Sequence, residues 1–169
     1  MSFVHLGRKP ATDETPSGLL LDCHARIRSF AQLAVRLAED DAPNAELADA
    51  AARVHRYFTQ ALPLHVADEE QSLAPRLRRF APDVGEALAT MELEHRAHDE
   101  ILANLVPAWD ALRSDPSLRR DTLDDARRLR SQLETHLAAE ERVVLPAIAR
   151  LPAEEARAIL AELRARRAT

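Results

Sequence analysis

Apolar residues in this chain recur every three or four positions, and they rarely alternate. One stripe carries Leu20, Ile27, Ala31, Val35 and Ala38; a second carries Val54, Phe58, Ala61 and Leu62. A third carries Leu88, Met91, Leu102, Val106 and Trp109, and a fourth Leu129, Leu133, Val143 and Ala147. That spacing buries one face of a helix. Proline-containing breaks at Asp41-Ala42-Pro43, Ala81-Pro82-Asp83 and Ser114-Asp115-Pro116 separate the stripes. The pattern predicts a helix from a Ser17 cap to about Asp40 and a second from Asn44 to Phe80, kinked at Pro63. A third runs to about Arg113 with a bend at Pro107. A fourth, capped by Ser114-Asp115-Pro116, ends near Leu151, and Pro152 opens a short terminal helix to about Arg166. Short connections between long helices imply antiparallel neighbours, hence an all-α, up-down-up-down four-helix bundle with an extra short C-terminal helix. Residues 1–17 read as a flexible arm, 18–151 as the bundle and 152–169 as the terminal helix.

Four histidines interrupt the apolar stripes, one per long helix. His24, then His65 and Glu69 as H-x-x-x-E, is followed 71 residues later by His95, then His136 and Glu140 as H-x-x-x-E. The flanking sequence moves in step, HVADEEQSLAP against HLAAEERVVLP, with Pro75 and Pro146 in register, so the chain carries an internal repeat. Within each motif the glutamate lies one turn after the histidine and about 40° around the helix, so ring and carboxylate face the same point. The four histidines also lie at similar distances, counted in residues, from the turns joining their helices, which places all six groups in one layer. A single histidine on an apolar face is ordinarily a satisfied core residue. Two buried carboxylates among four buried imidazoles are different, because uncompensated buried charge costs several kcal/mol. Four imidazoles and two carboxylates suffice for two transition-metal ions.

Composition narrows the remaining possibilities. With 169 residues, three glycines and few aromatics, the chain suits one helical domain with a continuous core. Cys23 is its single cysteine, which excludes an intrachain disulfide and a cysteine-based cluster and suits a reducing cytoplasm. Beside His24 it reads as a small packing residue. A net charge of -5, with arginines dispersed among acids, argues against a nucleic-acid footprint. Neither an apolar leader nor a membrane-length apolar run is visible, so a cytoplasmic, membrane-free protein is expected. His5 in the arm and His55, off the His65 face, read as surface residues, and Tyr57 lies about two turns from His65.

The order H … H-x-x-x-E … H … H-x-x-x-E resembles the hemerythrin-like family, the HHE cation-binding domains, from about Leu19 to Leu151. The resemblance implies a four-helix bundle holding two non-haem iron ions, bridged by two carboxylates and a solvent-derived oxo or hydroxo group. Carried onto this chain, it assigns His24 and His65 to the first iron, His95 and His136 to the second, and Glu69 and Glu140 to the bridges. Glu141 is the alternative to Glu140, since some members space the second bridge one residue further. Oxygen-carrying members have a fifth histidine one turn after the third-helix ligand, where this chain has Asp99. His98 is adjacent, so Asp99 or His98 is a candidate to complete the second iron. The repeat counterparts of His98 and Asp99 are Ile27 and Arg28, which cannot coordinate, so the first iron is expected to be the open one.

The expected function is binding of dioxygen, nitric oxide or peroxide, or another small anionic ligand, for carriage, sensing or detoxification rather than dedicated enzymatic turnover. Two other classes compete. Ferritin-like iron oxidation or storage uses paired E-x-x-H motifs, and Glu92-x-x-His95 imitates one, but Leu21 stands where its repeat partner would need an acid. An interaction module with a structural metal would instead use the terminal helix to dock a protein partner.

Overall fold

The computed structural model describes residues 15–39 and 44–168; the expected turn at Asp41-Ala42-Pro43, His5 and most of the expected arm lie outside them. Helix α1 spans Pro16–Glu39. Its cap is Thr15 rather than the expected Ser17: Thr15 Oγ1 accepts the Gly18 amide at 3.1 Å. Pro16 takes the first helical position, where its missing N–H costs nothing, and this moves the start upstream of Ser17. Helix α2 runs over residues 44–80, α3 over Gly85–Leu112, α4 over residues 123–150, and α5 over Ala153–Arg167. No strand occurs among the described residues.

Three prolines shape the site helices. Pro63, Pro75 and Pro146 each stand second in an α-helical segment, and each follows a π-helical stretch: Tyr57–Ala61, Asp68–Leu73 and Glu140–Val144. A proline donates no amide and its ring crowds the carbonyl four residues back, so the preceding turn widens. The predicted kink at Pro63 is thus a π-helical turn, whereas the helix continues through Pro107. These wide turns also correct two core assignments. Ala61 is exposed, and Val144 rather than Val143 is fully buried, because each wide turn advances the buried face relative to the 3.6-residue period. Asp115 caps as expected, accepting the Ser117 amide at 3.0 Å, but the segment it opens is the 3-10 turn Pro116–Thr122, and α-helix begins only at Leu123.

The order of two apolar clusters fixes the topology. Along α1 the chain passes from Leu20 in one cluster through His24 to Ile27 in the other; α2 returns from Leu62 through His65 and Glu69 to Leu73. Helix α3 goes from Met91 through His95 to Ile101, and α4 from Leu133 through His136 and Glu140 to Val144. Alternating directions make an up-down-up-down bundle with a polar layer between two apolar ones. Trp109, Leu105 and Phe58 belong to the Ile27 cluster, and Trp109 stacks on Phe58 at 5.2 Å. Tyr57 turns outward from the layer to stack on Phe30 at 4.0 Å.

Helix α5 closes the Leu20 cluster with Ile159 and Leu163. It is also held by charge: Arg166 Nη1 and Arg167 Nη2 donate to the two oxygens of Asp68, which is wholly buried. Among the described residues no helix is long and apolar enough to cross a membrane.

Candidate metal centre

The six repeated residues meet in the middle of the bundle, and all are buried. The four imidazoles share one orientation, with Nε2 inward. His65 Nε2 lies 3.0 Å from Glu69 Oε1 and His95 Nε2 lies 3.2 Å from Glu69 Oε2. His24 Nε2 lies 3.3 Å from Glu140 Oε2 and 3.9 Å from Glu69 Oε1, while His136 Nε2 lies 3.3 Å from Glu140 Oε1. Each carboxylate therefore turns one oxygen towards the His24/His65 pair and the other towards the His95/His136 pair.

Ligand atoms fall into two groups, each within 4.8 Å: His24, His65, Glu69 and Glu140; and Glu69, His95, His136 and Glu140. None of the four carboxylate oxygens of Glu69 and Glu140, nor Nε2 of His24, His65 or His95, has a hydrogen-bond partner. Buried acceptors are costly unless they meet positive charge, and a cation in each group, or protons on the facing Nε2 atoms in its absence, supplies it. The donor set of imidazole nitrogen and carboxylate oxygen suits iron, manganese or zinc rather than a soft ion. The residues fit a pair of cations.

Outward from this layer the imidazoles are held in place. His24 Nδ1 donates to Glu141 Oε1 at 2.9 Å, His95 Nδ1 to Glu70 Oε1 at 2.8 Å, and His136 Nδ1 to Glu94 Oε2 at 2.8 Å. Glu141, the alternative bridge, thus turns away from the centre. It also accepts from Arg28 Nη1 at 2.7 Å, while Arg28 Nε donates to Glu134. Fixing Nδ1–H outward selects the tautomer whose Nε2 lone pair points inward. The outer carboxylates were not singled out from the sequence, yet they had a signal: Glu70 and Glu141 obey the same 71-residue interval as the ligands.

Charge in the metal-free chain is concentrated here. Burial alone would lower the pKa of His24, but Glu140 and Glu69 push it up to about 9. His65, opposed by burial in the same way, rises to about 10 beside Glu69, and His95 to about 9 for the same reason. Burial works against Glu69 ionisation, yet His65, His24 and His95 hold its carboxyl well below the usual range. Burial and the Glu69 charge raise Glu140. These imidazoles are thus protonated at neutral pH, and their raised values stabilise the metal-free fold fully below about 6.5, an effect lost as pH climbs through 9 to 10. Thermal melts of metal-free protein should accordingly fall in midpoint between pH 7 and 10. Cation uptake at pH 7 should release protons, seen as a calorimetric heat that varies with buffer ionisation enthalpy.

His98 and Asp99 are not brought into either group. Asp99 is exposed at the rim, one turn of α3 beyond His95. His98 is buried edge-on against His136 at 5.1 Å, and burial with the nearby His136 and His95 drives its pKa down to about 4, so its ring is neutral. Both line a small cavity beside the centre, walled by Ile27, Leu62, Val66 and Leu133. Glu92 of the E-x-x-H imitation turns to Arg78 at 2.7 Å and takes no part. Cys23 is more than packing: its sulfur accepts from Arg167 Nη2 at 3.5 Å and Arg26 Nη2 at 3.8 Å.

A family model described as the hemerythrin HHE cation binding domain matches residues 15–148 and, a second time, residues 86–167. The second match begins 71 residues after the first, which is the interval of the histidine repeat. No curated protein matches the chain.

Proposed function

Because the chain belongs to the hemerythrin HHE cation-binding family, we propose that it holds two iron ions at the bundle centre and binds a small ligand beside them, such as dioxygen, nitric oxide or peroxide. His24 and His65 hold one ion, His95 and His136 the other, and Glu69 and Glu140 span both. The observation carrying this reading is the orientation of the two carboxylates, each offering one oxygen to either histidine pair while having no other partner. When bound, the irons would supply electrons and an open coordination position. The protein supplies the rest: fixed imidazoles and a small cavity beside them with an apolar wall of Ile27, Leu62, Val66 and Leu133. Arg28 is committed to Glu134 and Glu141, and neither His98 nor Asp99 joins a ligand group, so ligands are expected to reach the irons from the cavity that His65, His95 and His136 line. A reducing compartment would keep such a site supplied with ferrous ion.

The test is anaerobic iron loading, elemental analysis, and visible spectra before and after air. Iron near two per chain is expected, with His65→Ala and His136→Ala each lowering it by about one, because each removes an imidazole from a different ion. Well-folded wild type that takes up no iron would overturn the reading. His98→Ala is expected to leave iron content at the wild-type level and to change azide affinity by altering the cavity wall. Asp99→Ala should change neither. Loss of an iron in His98→Ala would make His98 a ligand.

A further inference from the structure

The 71-residue repeat extends to the outer contacts of the histidines and fails at one of them. Glu141 supports His24 and its repeat counterpart Glu70 supports His95, so each half supplies the outer carboxylate for the other half's first histidine. Glu94 supports His136 from the residue just before His95. Its counterpart, just before His24, is Cys23, so the repeat puts a buried thiol where the other half has a carboxylate. With Nε2 of His65 turned inward to Glu69, Nδ1 is the nitrogen left for an outer contact, and it is buried without a hydrogen-bond partner. Three of the four imidazoles thus rest on a carboxylate; His65 does not.

We propose that Cys23 is the positioning residue of His65, and that its thiol in place of a carboxylate makes the His24/His65 cation position the weaker of the two. This inference rests on the cation-pair reading above. A carboxylate accepting Nδ1–H orients an imidazole and makes its other nitrogen a stronger donor, whereas a thiol is a weak acceptor. The Cys23 sulfur is itself drawn upon by the Arg167 and Arg26 guanidiniums. On the same side, Glu141 divides its charge between His24 and Arg28. Both outer contacts of this cation position are therefore weaker donors of charge than Glu70 and Glu94 are on the other. At the weaker position a cation can be lost or exchanged without emptying its neighbour.

The experiment titrates metal-free protein with Co(II), following visible absorption and bound metal, in wild type and in the Cys23→Ala, Cys23→Glu, Glu94→Ala and His65→Ala variants. Wild type should bind two equivalents in unequal steps, and His65→Ala identifies the weaker step by abolishing it. Cys23→Glu, which installs the residue that Glu94 supplies in the other half, should strengthen that step about tenfold, and Cys23→Ala should weaken it. Glu94→Ala should weaken the other step alone. Lost packing would not strengthen a single step, so the gain in Cys23→Glu separates positioning from filling space. Equal steps in wild type, or unchanged isotherms in both Cys23 variants while Glu94→Ala loses affinity, would overturn the inference and leave the cation pair intact. Should Cys23→Glu fail to fold, Cys23→Ala decides alone, by a loss confined to the His65 step or no loss. Absence of any Co(II) uptake by wild type would overturn the cation pair, and this inference with it.

Discussion

Glu69→Gln is expected to remove both cations from the chain, where any single histidine substitution removes one. Glu69 Oε1 faces His24 and His65, and its Oε2 faces His95. The amide has nearly the same volume but no charge, and it places an NH2 donor where one of the two cations would sit. Iron content after anaerobic loading should drop to a small fraction of wild type, with the visible spectrum lost. Glu140→Gln should act in the same direction, since its oxygens are divided between His24 and His136. Retention of one full equivalent in Glu69→Gln would show that this carboxylate serves a single ion. Folding of the metal-free variant should persist, because both apolar clusters lie outside the layer.

The second large effect is on stability. Asp68 is wholly buried, and its two oxygens are met by Arg166 and Arg167 from α5. Replacing both arginines with alanine strands a carboxylate next to Glu69, and breaking a buried pair from one side costs about 3–5 kcal/mol. For a chain of this length that corresponds to a melting midpoint lower by about 10 °C. Adding Asp68→Asn to the double variant should recover much of the loss, since the stranded charge disappears. If Asp68→Asn brought no recovery, the loss would come from the packing of α5, through Ile159 and Leu163, and not from the ion pairs.

The period of the apolar stripes and the proline-bearing breaks determined the number of helices and their order, because one buried face per helix and short connections leave few alternatives. The 71-residue interval likewise picked out the six residues that meet at the centre, and similar residue counts to the connecting turns put them at equal depth. Only the tertiary structure decided the rest. Where π-helical turns replace α-helix depends on how the chain relieves Pro63, Pro75 and Pro146, and this exchanged Val144 for Val143 in the core and buried Asp68. Whether Glu140 or Glu141 faces inward was settled by Arg28 and His24 reaching Glu141 from another helix. His98 and Asp99 stayed outside the ligand groups because their place on α3 turns one towards the His136 ring and the other to solvent. The partners of Asp68, and Arg167 on Cys23, come from α5, about a hundred residues or more away in sequence, and no local pattern reports which side chain will cross that distance to satisfy a buried charge.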